Sequence, residues 1–123
     1  MTDKIKVTEH GEQQAVFEWA EWNKGKQPLL ELMFAIPNGG HRHIAVAKKM
    51  KAEGVKAGVP DIFLAVPAYN AHGLFIEMKV GKNKLSQSQK EWRERLVNQG
   101  YLYKVCYGSE EAIEFIDWYL SYV

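Results

Sequence analysis

Hydrophobic positions recur along the chain with two different spacings, and each spacing predicts one kind of element. From Glu9 to about Asn23, the residues at i, i+3, i+4 and i+7 form a single stripe, which is the period of a helix. The stripe consists of Gln13, Val16, Phe17 and Ala20. The chain therefore begins with a predicted amphipathic helix, followed by a turn between Gly25 and Pro28.

Four short apolar segments predict strands: Leu30–Ile36, Ile62–Val66, Leu74–Val80 and Tyr101–Cys106. The second is apolar at every position, which predicts burial on both faces. The residues from Pro67 to Gly73 form the predicted turn between the second and third strands.

Three more helices are predicted between and after these strands. Their segments are Ile44–Glu53, which Gly54 ends, Ser86–Gln99, which Gly100 ends, and a last helix that Ser109 is expected to cap. In the last helix Ile113, Ile116 and Leu120 are expected to face inward, with Glu110 and Glu111 at its positive end. The predicted class is an α/β domain with a small mixed sheet of about four strands flanked by helices.

Length and composition favour a single domain over residues 1–123, because shorter pieces would bury too little surface to be stable. The one cysteine, Cys106, excludes an internal disulfide and suits a reducing compartment. No apolar run approaches the roughly 18 residues of a membrane span, and the first ten residues lack a signal-peptide core. We expect a cytoplasmic protein without membrane contact.

The net charge is only +1, but the charges are segregated. One basic stretch lies between His41 and Pro60, a second follows Lys79 and includes Lys82 and Lys84, and the last fifteen residues carry acids only. This distribution fits a polyanion bound on one face. Solvated helix faces are an equally common explanation, so charge alone does not assign a partner.

Glu77 and Lys79 are the first candidate functional residues. Side chains alternate along a strand, so Glu77 and Lys79 share a face, while Ile76 and Met78 point to the other. The two positions are roughly 6.6 Å apart, close enough for both to reach one bound group. Taken alone, the pair is more often a weak charge contact at an exposed sheet edge.

Asp61 strengthens the functional interpretation of Glu77 and Lys79 because it directly precedes the apolar second strand. If the second and third strands form a hairpin, Asp61 lies near Glu77 and Lys79. Magnesium prefers clustered carboxylate and carbonyl oxygens, which Asp61, Glu77 and the Met78 carbonyl could supply. Lys79 would then orient a water or neutralise charge on a phosphate. A turn-capping aspartate is the alternative for Asp61.

Five ordered segments resemble one nuclease family. GVPD (58–61) and EMK (77–79) resemble the Pro-Asp and Glu-x-Lys elements of the PD-(D/E)xK superfamily. Together with TEHGEQQAVFEW, AIPNGGHR and KLSQSQKEW, they resemble the VRR-NUC domain in its stand-alone phage or bacterial form, over nearly the whole chain. The resemblance implies a restriction-endonuclease-like fold, a metal-dependent nuclease activity and a bacterial or phage-infected cell.

The same resemblance implies an acidic ligand from the first helix and a glutamine after Glu-x-Lys. Glu9 and Glu12 both qualify for the first, and Glu9 is favoured because it lies nearer the middle of the helix stripe. Gln89 matches the glutamine, although Ser86-x-x-Gln89 is also a capping box. The polar loop with Asn38 and Arg42 could bind a phosphate. An ordinary surface turn would have much the same sequence.

The predicted function is hydrolysis of DNA phosphodiester bonds with one or two Mg²⁺ or Mn²⁺ ions, held by Glu9, Asp61, Glu77 and the Met78 carbonyl. Lys79 and Gln89 complete the predicted catalytic set, and Asn38, Arg42, Lys82 and Lys84 the predicted DNA contacts. No histidine or cysteine spacing indicates zinc. Stand-alone members of the family resemble Holliday junction resolvases, so branched DNA and a homodimer are expected. Trp19, Trp22 and Tyr119 could form its interface or belong to the core. The alternatives are a flap or duplex endonuclease and a non-catalytic DNA-binding module.

Overall fold

The structure is a computed structural model that describes residues 6–38 and 43–123. Its helices are α1 (Glu9–Asn23), α2 (Ile44–Ala52), α3 (Gln87–Asn98) and α4 (Ser109–Leu120). Its strands are β1 (Met33–Ala35), β2 (Ile62–Leu64), β3 (Leu74–Lys79) and β4 (Leu102–Tyr107). They form one sheet in the order β1-β2-β3-β4, in which β3 and β4 are parallel and the other neighbours antiparallel. The predicted mixed four-stranded α/β fold is confirmed.

The two faces of the sheet differ in what covers them. One face presents Leu74, Ile76 and Met78 of β3, all fully buried in a core that includes α1 and α4. Strand alternation sends Phe75, Glu77 and Lys79 to the opposite face. Helix α3 packs beside β4. The second face therefore carries the charged residues.

The predicted strand Leu30–Ile36 is mostly wrong. Residues Pro28–Leu32 form a 3₁₀-helical turn, and the strand is reduced to Met33–Ala35. Proline at the first position suits a helical turn, and the Gln27 side chain accepts a hydrogen bond from the Leu29 amide at 3.3 Å. The strand is short because its partner β2 pairs at only Ile62, Phe63 and Leu64. The apolar sequence was compatible with a strand, but sheet pairing set its length.

The expected cap of the last helix is also wrong. Gly108 is the N-cap residue of α4, and no side chain at that position caps the helix. The Glu12 carboxylate accepts hydrogen bonds from the Ser109 amide at 3.0 Å and from the Ser109 hydroxyl at 3.5 Å. A carboxylate from α1 thus accepts from an amide at the start of α4, where a serine side chain was expected to cap the helix, and it complements the positive end of α4. Glu110 and Glu111 lie in the first turn of α4, as predicted.

The predicted burial of the second strand on both faces is confirmed only in part, and Tyr119 takes one of its two predicted roles. In β2 and the residues after it, Ile62, Leu64 and Val66 are buried, whereas Phe63 is half-buried and stacks on Phe75. Tyr119 is fully buried and donates to the Val66 carbonyl. Tyr119 therefore belongs to the core and cannot supply an interface.

The first helix packs as its stripe predicted, with Val16 and Ala20 buried against the core. Trp19 is partly buried against the same cluster, whereas Trp22 is 88% exposed. Over the two described ranges, no helix is long and apolar enough to cross a membrane.

Candidate active site

The β2–β3 hairpin brings Asp61 and Glu77 together. Ile62 pairs with Ile76 in the antiparallel register, so Asp61, which precedes β2, lies across from Glu77. The predicted hairpin is confirmed, and with it the proximity of two carboxylates that are separated by a long turn in the sequence. Neither carboxylate is at an exposed sheet edge, because β3 lies between β2 and β4.

Asp61 is held by two hydrogen bonds. Its Oδ2 accepts from the Met78 amide at 2.7 Å, and its Oδ1 accepts from the Asn38 side-chain amide at 2.9 Å. The Ile36 amide also donates to the Asp61 carbonyl at 2.8 Å. These contacts fix the carboxylate between the end of β1 and the middle of β3. Asn38, predicted to contact DNA, is thus a residue that orients Asp61.

Glu77 is a carboxylate with too few partners for its burial. Its residue exposure is 1%, and Oε1 has no hydrogen-bond partner among the described residues. Burial raises the pKa of Glu77 to about 9, and the Asp61 carboxyl adds to this rise. A second acid beside an unsatisfied carboxylate is an arrangement that a bound cation would stabilise.

Lys79 lies on the same face and is 7% exposed. Within the described ranges it forms no salt bridge, since the only pairs within 4.0 Å involve Lys24. Its charge nevertheless lowers the pKa of Glu77 in part, opposing the larger effect of burial. A largely buried ammonium without a close anionic partner is available to a phosphate.

Gln89 forms the predicted capping box, and its side chain also reaches Glu77. Its Oε1 accepts from the Ser86 amide at 2.8 Å, and the Ser86 hydroxyl accepts from the Gln89 amide at 3.2 Å, which is a complete capping box. Its Nε2 donates to Glu77 Oε2 at 3.4 Å. The cap orients the amide so that its nitrogen points to the site.

The two acids of α1 have different surroundings. Glu9 is half-buried, accepts a hydrogen bond from the Asn83 side chain at 3.1 Å, and is close enough to raise the pKa of Glu77. Glu12 is engaged at the start of α4 instead. The geometry therefore directs Glu9, and not Glu12, toward the candidate site.

The predicted DNA contacts beyond Asn38 are only partly located. Lys82 and Lys84 are exposed on either side of Asn83, in the turn that follows β3 and that Gly81 enters with a positive φ of 59°. Arg42 lies outside the described residues. The two lysines thus border the site next to Glu9.

Two residues near the site were not predicted. Asn83 joins the turn to Glu9, and the Tyr107 hydroxyl donates to the Asn83 carbonyl at 2.9 Å. Tyr103 has a buried hydroxyl with no partner among the described residues, and burial raises its pKa. The alternation of β4 places Tyr103 on a face, but only the parallel register with Phe75 shows that this is the face of Glu77.

The described residues do not form a complete metal site. In the described part of the chain, no three His, Cys, Asp or Glu side chains are placed so that they could hold one ion together. The unsatisfied Glu77 oxygen beside Asp61 nevertheless fits a hard cation, which takes oxygen ligands and retains waters. The donor set is therefore compatible with Mg²⁺ or Mn²⁺, with two carboxylates in place and Glu9 nearby.

The fold and the site together define a small α/β protein in which a β-hairpin brings together Asp61, Glu77 and Lys79. The model of the VRR-NUC domain matches residues 3–110. A solved structure described as a VRR-NUC domain protein is 31% identical, with a TM-score of 0.77 over 97% of this chain and 93% of that one. A search of curated proteins finds no match. The chain belongs to the VRR-NUC family, a family of nucleases, and its expected partner is DNA.

Proposed function

We propose that this protein is a metal-dependent endonuclease that hydrolyses phosphodiester bonds in DNA. The observation that carries the proposal is the pairing of Asp61 with Glu77, whose Oε1 is buried without a partner. An unsatisfied buried carboxylate costs free energy, and such sites persist where a ligand completes them. Membership of a nuclease family supports phosphodiester hydrolysis as the chemistry that such a ligand would serve.

Asp61, Glu77 and Glu9 are the proposed side-chain ligands of Mg²⁺ or Mn²⁺, with the Met78 carbonyl as a further donor. A bound divalent cation would neutralise phosphate charge and lower the pKa of a water molecule. The Asn38 and Met78 amides keep Asp61 in one orientation, so little reorganisation is needed when a cation binds.

Lys79 and Gln89 have proposed roles around the scissile phosphate. The Lys79 ammonium would stabilise the negative charge that develops as water attacks phosphorus. Gln89 would orient Glu77 through its Nε2 and remain fixed by its bonds to Ser86. Both residues act from a partly buried face, where electrostatic interactions are stronger than in bulk water.

The proposed substrate is branched DNA, and the proposed enzyme is a homodimer that resembles Holliday junction resolvases. Two sites related by a two-fold axis would cut opposing strands symmetrically. Trp22, at 88% exposure, is the tryptophan of α1 that remains available to an interface. Flap or duplex cleavage uses the same chemistry and is separated by the choice of substrate.

Cleavage of labelled four-way junction, flap and duplex DNA in Mg²⁺ tests the proposal. Asp61→Asn, Glu77→Gln and Lys79→Met should each slow cleavage by at least about 100-fold, which corresponds to roughly 3 kcal/mol of barrier. Glu94→Gln, an exposed acid of α3, is the matched control. Wild-type rates in the three variants would contradict the active-site assignment. Incisions that are not paired and symmetrical in the junction would remove the resolvase proposal and leave the nuclease.

A further inference from the structure

Helix α2 differs from the other helices in how little it packs. Like α3, it has no buried residue, but α3 packs beside β4, and α1 and α4 contribute to the core. Its two half-buried residues, Ala47 and Met50, face the segment 54–57 across a cavity of about 560 Å³. The interior of the domain therefore does not explain why the chain forms a helix here.

The outward face of α2 is basic. At about 100° per residue, Lys48 and Lys49 are centred opposite the half-buried Ala47 and Met50. Both lysines are exposed, and neither has an acid within 4.0 Å in the described ranges, where Lys24 makes the salt bridges. Lys51 and Lys56 extend the charge toward the cavity, and Glu53 is the one acid between residues 44 and 60.

Both ends of the segment that carries α2 are attached at the candidate active site. Before α2, Asn38 donates to Asp61 at 2.9 Å. After α2, the chain returns through Gly58 to Asp61 itself. Gly58 has a φ of +88°, and an added Cβ there would come within 2.8 Å of the Ser88 backbone. Lys56 and Trp92 line a common cleft near Pro37, so the segment that follows α2 lies near α3.

We propose that α2 binds the phosphate backbone of the DNA beside the cleavage site, through Lys48 and Lys49. This inference rests on the proposed nuclease function and adds to it the element that positions the substrate. Charge complementarity favours a polyanion over a protein groove, because the exposed face is basic and no acid neutralises it. The segment that carries α2 is attached at Asp61, in the candidate active site. This attachment favours DNA over a lipid surface, because a duplex bound at α2 would extend past the cleavage site.

The test is the salt dependence of DNA binding, measured by fluorescence anisotropy in EDTA, so that no cleavage occurs. The variant is Lys48→Gln/Lys49→Gln. The matched control is Lys24→Gln/Lys26→Gln, which also removes two positive charges, at the C-terminal end of α1. We expect the slope of log K against log salt to fall by about 1.8 in the α2 variant only. Thermal melting should be unchanged, because neither lysine is buried.

Equal slopes in the two double variants would overturn the inference, since total charge and not α2 would then control binding. Unchanged DNA binding with loss of retention on vesicles of anionic phospholipid would also overturn it and assign α2 to a lipid surface. The proposed nuclease function fails separately: a wild-type protein that binds DNA with the expected slope but never cleaves it in Mg²⁺ would contradict that function alone.

Discussion

Replacing Glu77 by glutamine should stabilise the metal-free protein while abolishing its activity. Glu77 is 1% exposed, has an unpartnered Oε1, and has a pKa raised by burial to about 9. Near neutral pH the folded protein therefore holds a proton on Glu77 that the unfolded chain, with a pKa of about 4.3, has released. Glutamine has a similar shape and needs no such proton.

The sign of the pH dependence follows from the raised pKa. The contribution of Glu77 to stability is fully present below the pKa of the unfolded chain and is lost as the pH rises to about 9. The loss is about 1.4 kcal/mol per pH unit over that interval. The advantage of Glu77→Gln over the wild type should therefore grow with pH and level off above about 9.

Urea unfolding in EDTA, followed by circular dichroism from about pH 5 to about pH 9, measures this difference. Glu94→Gln removes an exposed acid from α3 and should leave the pH dependence as in the wild type. Adding Mg²⁺ should narrow the difference, because only the wild type offers a carboxylate at position 77, and a ligand at 100 times its Kd stabilises the protein that binds it by about 2.7 kcal/mol. Parallel pH curves for the wild type and Glu77→Gln would refute the reasoning, since Glu77 would then be ionised in the folded protein.

Two pairs of variants and one single variant test the remaining geometry. Glu12→Ala should lower the free energy of unfolding by about 1 kcal/mol through loss of its bond to Ser109, whereas Glu9→Ala should mainly weaken the Mg²⁺ response in a thermal melt. The reverse result would exchange the two acids. Asn38→Ala should weaken the metal affinity or the activity by about 10- to 100-fold, because Asp61 loses a bond that orients it, and a Mg²⁺ titration of cleavage that matches the wild type would contradict this. Tyr103→Phe should be neutral or stabilising in urea unfolding, since its hydroxyl is buried without a partner, while Tyr119→Phe should cost about 1–3 kcal/mol by leaving the Val66 carbonyl unsatisfied. Equal losses of stability in the two tyrosine variants would contradict this, because the Tyr103 hydroxyl would then have a hydrogen-bond partner in the folded protein.

The sequence by itself determined the features that depend on neighbouring residues. The apolar stripe of α1 defined its bounds, Glu9–Asn23, as the structure has them. Strand alternation placed Glu77 and Lys79 on one face, and the Ser86–Gln89 spacing predicted the start of α3. These signals are local, because the periods of helices and strands are set by backbone geometry within a few residues.

Only the tertiary structure decided features that depend on distant partners. Glu12 caps a helix that begins 97 residues later, and its sequence context gave no sign of that role. The length of β1 depends on three pairing positions in β2, and Tyr119 is buried because its hydroxyl reaches Val66. A side chain's role in these cases is set by which groups the fold brings within hydrogen-bonding distance, and the sequence pattern carries no record of that distance.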